Sequence, residues 1–117
     1  MKFLAKKGMQ ILERNYHSKY GEVDIIAKDK EYIIFIEVKT RRIDTISKPV
    51  ESVDKIKQRK ILKTAMAYLQ ACKYTDLQPR FDIIEIIYKV NFSAELKVAS
   101  INHIKDAFWM EGKLEDF

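Results

Sequence analysis

The chain is poor in the residues that punctuate or cross-link a fold. Its 117 residues include one cysteine, three glycines and two prolines. Cys72 has no partner for a disulfide within the chain, and it falls where a helix should face the core, as a small hydrophobe. No Cys/His spacing suits zinc. His17 and His103 lie far apart, and each reads as a surface or capping residue rather than a general base. Scarce glycine and proline argue against linkers and disorder. There is no glycine-rich phosphate loop and no Gly-x-Ser-x-Gly elbow, which removes nucleotide-loop and serine-hydrolase chemistry. The longest apolar run, residues 32–36, has the length of a strand and not of a membrane span. Phe3-Leu4-Ala5 is too short for a secretory signal. The expectation is a soluble, cytoplasmic protein without a membrane partner.

Hydrophobic residues make up 47% of the chain, enough to bury the core of one domain over residues 1–117. The informative feature is where charge interrupts them. Gly21-Glu22-Val23-Asp24-Ile25-Ile26 and Phe35-Ile36-Glu37-Val38-Lys39 read as two strands, separated by Lys28-Asp29-Lys30-Glu31. Charges are depleted from buried strands because desolvating them is costly. With Asp29-Lys30 as a two-residue hairpin turn, Ile26 faces Ile33, Asp24 faces Phe35 and Glu22 faces Glu37. Facing residues share a face. Glu22, Asp24, Glu37 and Lys39 then lie on one side, with Asp24 diagonal to Glu37. Val23, Ile25, Ala27, Ile34, Ile36 and Val38 form an apolar surface on the other.

Facing carboxylates repel each other. A hard divalent cation relieves that conflict, since Mg²⁺ takes oxygen ligands from one or two carboxylates plus water and phosphate. Lys39 projects beside the pair, where an ammonium can hold a phosphate oxygen or position a water. The set suits metal-assisted phosphodiester hydrolysis. The alternative is a structural salt bridge from Lys39 to Glu37 or Asp24.

Asp24 followed by Glu37-Val38-Lys39 resembles the PD-(D/E)xK signature of restriction-endonuclease-like nucleases. More closely, the chain resembles the bacterial YraN family of that superfamily. The matching blocks are Ile11-Leu12-Glu13-Arg14-Asn15, residues 21–27, residues 35–41, Lys57-Gln58-Arg59-Lys60, Ala67-Tyr68-Leu69, Arg80-Phe81-Asp82, Ile101-Asn102-His103-Ile104 and Ala107-Phe108. The resemblance departs at Val23, which stands where the signature has proline, and at the first helix, which begins within the family's longer one and lacks its Gly-Glu opening. It implies an α/β fold with a central mixed sheet flanked by helices. It also implies a nuclease that uses Mg²⁺ or Mn²⁺ on DNA, with branched or structured DNA suggested by superfamily analogy. On that reading Asp24 and Glu37 hold the metal with the Val38 carbonyl, Lys39 orients or activates water, and Glu22 is an outer or second-metal carboxylate. The competing expectation is a nucleic-acid-binding module of the same fold without turnover.

Net charge is +5 and the pI is about 9.2, which favours an anionic partner. Arg41 and Arg42 follow the second hairpin strand, and Lys57, Arg59 and Lys60 crowd a helix start; together they are the expected nucleic-acid contacts. That helix is expected over 52–73 with Ser52 as N-cap. Its stripe is Leu62, Ala65, Leu69 and Cys72, which extended backwards places Gln58 on the buried face near the site. Lys57 points elsewhere by that count, to a nucleic-acid backbone. The remaining expectations are a helix over 1–7 ended by Gly8, strands over 10–15, 80–88 and 95–101, a loop over 43–50 and a helix over 102–110. Arg80 and Asp82 should pair. Trp109, Met110 and Phe117 offer a homodimer patch.

Overall fold

Alternating β-branched and aromatic residues build five strands, and two helices cover them. The computed structural model describes residues 2–45, 55–72 and 76–108. The order is α1 (Lys2–Lys6), β1 (Gln10–Ser18), β2 (Gly21–Lys28), β3 (Tyr32–Arg42), a 3-10 turn (Ile43–Thr45), α2 (Lys55–Ala71), β4 (Gln78–Val90) and β5 (Leu96–Ile104). The sheet order is β1-β2-β3-β4-β5. Among the described residues only β3 and β4 run parallel, joined by the crossover that contains α2. This mixed sheet with helices on both faces is the α/β architecture expected from the sequence, a central mixed sheet flanked by helices.

The sheet's two faces carry separate cores. Against α2 pack Val23, Ile26, Ile33, Phe35, Phe81 and Ile83, which meet Ile61, Leu62, Ala65 and Tyr68 of the helix. Aromatic rings run through this layer, with Phe81 stacked between Phe35 at 5.5 Å and Phe108 at 5.3 Å. Beneath α1, Leu4 and Met9 cover Ile25, Ala27, Ile34, Ile36 and Ile84. Each such fully buried side chain contributes about 1.5–3 kcal/mol. Gly8 ends α1 as expected: with φ at 80°, it lets Met9 N–H reach the Leu4 carbonyl and its own N–H reach Ala5.

Two expectations change at this level. Residues 102–104 belong to β5 rather than to a helix, because Asn102, His103 and Ile104 pair with Glu85, Ile84 and Ile83 on β4. His103 is not a surface residue; its side chain is 2% exposed. Its Nε2 meets Asp82 at 2.7 Å, and Lys7 Nζ donates to Nδ1 at 2.8 Å. A ring that accepts from an ammonium at Nδ1 carries its proton on Nε2 and is neutral. Arg80 pairs with Asp82 through two bonds of 2.9 and 2.8 Å, as expected. The expected cap Ser52, the expected patch residues Trp109, Met110 and Phe117, and residues 46–50 lie outside the described residues.

Burial pushes the His103 pKa below its ordinary 6.5, and Lys7 and Arg80 push the same way against Asp82. The unfolded chain therefore takes up a proton below pH 6.5 that the folded chain refuses. Burial alone would raise the Asp82 carboxyl, but Arg80, the Asp106 amide and His103 together hold it below 3.8. The His103 contribution is complete above pH 6.5 and is lost as pH falls below it. Urea unfolding of the parent should show stability falling in that interval. In His103→Gln, which keeps a donor for Asp82 but cannot titrate, the fall should be absent.

Candidate active site

The site forms where β2 parts from β3. Their pairing is Lys28↔Ile33, Ala27↔Ile34, Ile26↔Phe35 and Ile25↔Ile36, and it stops there although both strands continue. The register differs from the expected one by two residues. The Asp29 carboxylate accepts the N–H groups of Glu31 at 2.8 Å and Tyr32 at 2.7 Å, and Asp29 N–H bonds the Tyr32 carbonyl. The turn is thus centred on Lys30-Glu31 and not on Asp29-Lys30. Neither Glu22–Glu37 nor Asp24–Phe35 face each other. One further step of the observed register sets Asp24 opposite Glu37.

A second irregularity aims the aspartate. On the β1 side the ladder passes from Arg14↔Ile25 to Tyr16↔Val23, skipping Asn15 and Asp24. Asn15 has φ at 49°, a left-handed conformation that asparagine tolerates. Alternation breaks at this point. Val23 joins Ile26 in the α2-side core, while Ile25 and Ala27 face α1, so Val23 does not share their face as expected. With the ladder ended, Asp24 Oδ2 accepts the Val38 N–H at 2.8 Å. The carboxylate takes the place of a backbone carbonyl and bridges the gap between the strands.

Glu37 and Lys39 lie on the α2 side of β3, in line with Phe35. Glu37 is buried, at 9% side-chain exposure, and Lys57 Nζ meets its Oε1 at 2.7 Å. Lys57 was expected to point away from the site. The buried stripe of α2 is Ile61, Leu62, Thr64, Ala65 and Tyr68, rotated toward Ile61 and Tyr68, and one turn before Ile61 is Lys57. Gln58 is half-buried beside it, near the helix start as expected. Burial raises the Glu37 pKa above 4.5, and the Asp24 charge adds to that; Lys57 and Lys39 oppose the rise without cancelling it.

A cleft of about 570 Å³ opens next to this pair, between the β1–β2 turn and the start of α2. Glu22, Lys57 and Lys60 line it, as do His17, Ser18 and Gly21. Glu22 pairs across the strands with His17, Nδ1 to Oε2 at 3.3 Å, with both side chains exposed. His17 belongs to β1, not to a loop, and its place in the cleft was missed because the first strand runs three residues past its expected end. The expected basic set is divided. Arg41 meets the buried Glu85 at 3.3 Å, on the α2 side. Arg42, the next residue and so on the other face, meets Asp44 at 3.0 Å. Arg59 and Lys60 are exposed on α2.

The profile of the Uncharacterised protein family UPF0102, the YraN family, matches residues 1–86. The chain belongs to this family. A UPF0102 protein of Caldanaerobacter subterraneus subsp. tengcongensis is 44% identical over 91% of this chain and 84% of its own. One from Clostridium perfringens is 45% identical over 92% and 84%. A UPF0102 protein of Prosthecochloris aestuarii is 40% identical over 93% and 86%. Among solved structures, Pyrococcus furiosus SfsA in complex with Ca²⁺ superposes with a TM-score of 0.44 at 13% identity, covering 86% of this chain and 58% of that one. No helix among the described residues of this UPF0102 protein is long and apolar enough to cross a membrane.

The donor set suits a hard divalent cation. It consists of two carboxylates and the Val38 carbonyl, all oxygen. Among the described residues no group of three His, Cys, Asp or Glu side chains comes together. Two carboxylates are the protein share of a Mg²⁺ site, which takes its other ligands from water and substrate rather than from an all-protein cage. The Lys57 ammonium already marks a cation position at Glu37.

A raised carboxylate pKa means that the folded chain binds this proton more tightly than the unfolded one. Stability then falls as pH rises from 4.5 through the folded value, and ionised Glu37 is a cost at neutral pH. Glu37→Gln should keep or raise stability in EDTA, by up to ~1 kcal/mol on the scale of cross-strand charge pairs, read as an unchanged or higher melting temperature. It should also lose most of the stabilisation that Mn²⁺ gives the parent. A variant less stable in EDTA with an undiminished Mn²⁺ shift means that the Lys57–Glu37 pair is scaffolding.

Proposed function

We propose that this protein is a divalent-metal-dependent nuclease that hydrolyses phosphodiester bonds in DNA. The observation that carries this reading is the Asp24–Val38 bond across the parted strands, which brings a second carboxylate to Glu37 with Lys39 two residues further along the same face. Asp24 and Glu37, with the Val38 carbonyl, would hold Mg²⁺ or Mn²⁺. Bound there, the cation supplies Lewis-acid polarisation of the scissile phosphate. Lys39 donates from its ammonium to a phosphate oxygen or orients the attacking water. Lys57 lines the cleft wall beside Lys60 and would offer a second ammonium to the DNA backbone. Glu22, held by His17 in the same cleft, accepts a proton from water at the outer edge of the site. Gln58 supports the helix start with a neutral amide. The preference for branched or structured DNA comes from superfamily analogy.

A second reading is favoured by the Lys57–Glu37 contact at 2.7 Å, which partly neutralises the acid pair without any metal. On that reading the protein binds nucleic acid and does not turn it over. A panel of single-stranded, duplex, flap and four-way-junction DNA with Mg²⁺, Mn²⁺ or Ca²⁺ separates the two. The nuclease reading expects cleavage with Mg²⁺ or Mn²⁺ and binding with little cleavage in Ca²⁺. Lys39→Ala should lower kcat by roughly 10²–10³-fold, the scale of one lost charge-stabilising donor, and leave binding intact. Robust cleavage by the purified Lys39→Ala protein sinks the mechanism.

The basic wall has its own test. If Lys60 touches phosphate, Lys60→Ala should reduce the slope of log K against log salt by about 0.9 on duplex DNA. The loss in affinity should be similar across sequences. An unchanged slope removes Lys60 from the interface.

A further inference from the structure

The turn between β1 and β2 consists of Lys19 and Tyr20, flanked by the paired residues Ser18 and Gly21. It is fastened to α2 at several points. Thr64 is fully buried and donates to the Lys60 carbonyl at 2.8 Å. Ser18 Oγ lies 3.0 Å from the Thr64 hydroxyl and 3.3 Å from the Gly21 carbonyl, within hydrogen-bond reach of both. Ser18 Oγ in turn accepts the Tyr20 N–H at 3.0 Å. Gly21 has φ at 152°, and a Cβ on it would sit 3.3 Å from the Lys60 Cβ. A side chain there would have to push the Lys60 Cβ aside by a few tenths of an ångström at a left-handed backbone angle, so turn and helix pack closely.

On this base Tyr20 is 39% exposed. Lys19 Nζ stands over its ring at 5.2 Å from the centroid, and Lys63 Nζ at 5.9 Å. Ser18 and Gly21, on either side of the turn, line the cleft with Lys57 and Lys60. Tyr20 is thus an aromatic face at the rim of a basic cleft, four residues from Asp24, or roughly 13 Å at the rise of an extended chain. An exposed aromatic ring with exchangeable ammoniums over it is the recognition chemistry of single-stranded nucleic acid: the base takes the ring face and the displaced ammoniums meet the flanking phosphates. Bases inside a duplex keep their faces covered by their neighbours and cannot lie on such a ring.

We propose that Tyr20, bordered by Lys19 and Lys63, is a stacking platform for an unpaired base, so that the strand entering the cleft is single-stranded at this point. The proposal rests on the nucleic-acid reading above and names its substrate form. The test is fluorescence-anisotropy binding in EDTA, where nothing is cut, with labelled oligothymidylate and an abasic phosphodiester of the same length. Tyr20→Ala should weaken oligothymidylate binding by about tenfold or more and leave the abasic strand unaffected. Tyr20→Trp should restore oligothymidylate binding. Equal losses on both strands, or no loss on either, overturn the platform. The catalytic reading is checked separately by cleavage. A parent that binds through Tyr20 but cuts nothing with any divalent metal keeps the platform and overturns the nuclease. A parent that cuts while Tyr20→Ala binds normally does the reverse.

Discussion

The site depends on one hydrogen bond, from the Val38 amide to the Asp24 carboxylate at 2.8 Å. A strand pair that separates leaves N–H groups without partners, and a buried one costs about 1–3 kcal/mol. Here the aspartate makes up the loss at the point where the β2–β3 ladder ends. The same bond fixes the carboxylate beside Glu37. The separation of the strands and the gathering of the acids are therefore one event. Asn15 sets it up from the other side, since its left-handed backbone lets β1 and β2 skip a pair opposite Asp24. Irregularities of this kind commonly re-aim a side chain beside a functional site.

Bringing two acids together at a buried edge has an electrostatic cost that the chain meets internally. Lys57 reaches Glu37 from the first turn of α2, while its own side chain stays half-exposed. A half-exposed ammonium loses little on leaving its partner, because water replaces the contact. The Arg80–Asp82–His103 network on the α1 side is of the opposite kind. Its members are buried and mutually bonded, and it ties β4, β5 and the turn at Asp106 together. One charged cluster is built to stay closed and the other is open to exchange.

Much of this was legible in the chain. Apolar alternation located the strands, and charge inside apolar runs located Asp24, Glu37 and Lys39. The hairpin register was misjudged by two residues, while Glu37 and Lys39, two apart on one strand, share a face whatever the register. The error lay in which residues turn the corner, which the Asp29 side chain decides through two backbone amides. The break in alternation at Val23 was not legible, since it arises from the conformation of Asn15 on a neighbouring strand. Lys57 was misplaced because the stripe was anchored on Leu62; Tyr68, a buried tyrosine packed on Phe35 and Tyr16, shows the true phase of the helix. His103 was read as surface from its place near the C-terminus, and only the fold supplies Asp82 and Lys7 around it.

The strand order has a consequence for how the chain assembles. Spatial order follows sequence order throughout, and all but one of the strand pairings join consecutive antiparallel strands through short connections. Such pairings close small loops and form early at low entropic cost. The parallel β3–β4 pair is different, because the whole crossover through α2 must be ordered before its hydrogen bonds form. Docking of that pair is the slow, non-local step. It is also the step that brings Lys57 to Glu37, so the acid pair gains its counter-charge only as the fold is completed.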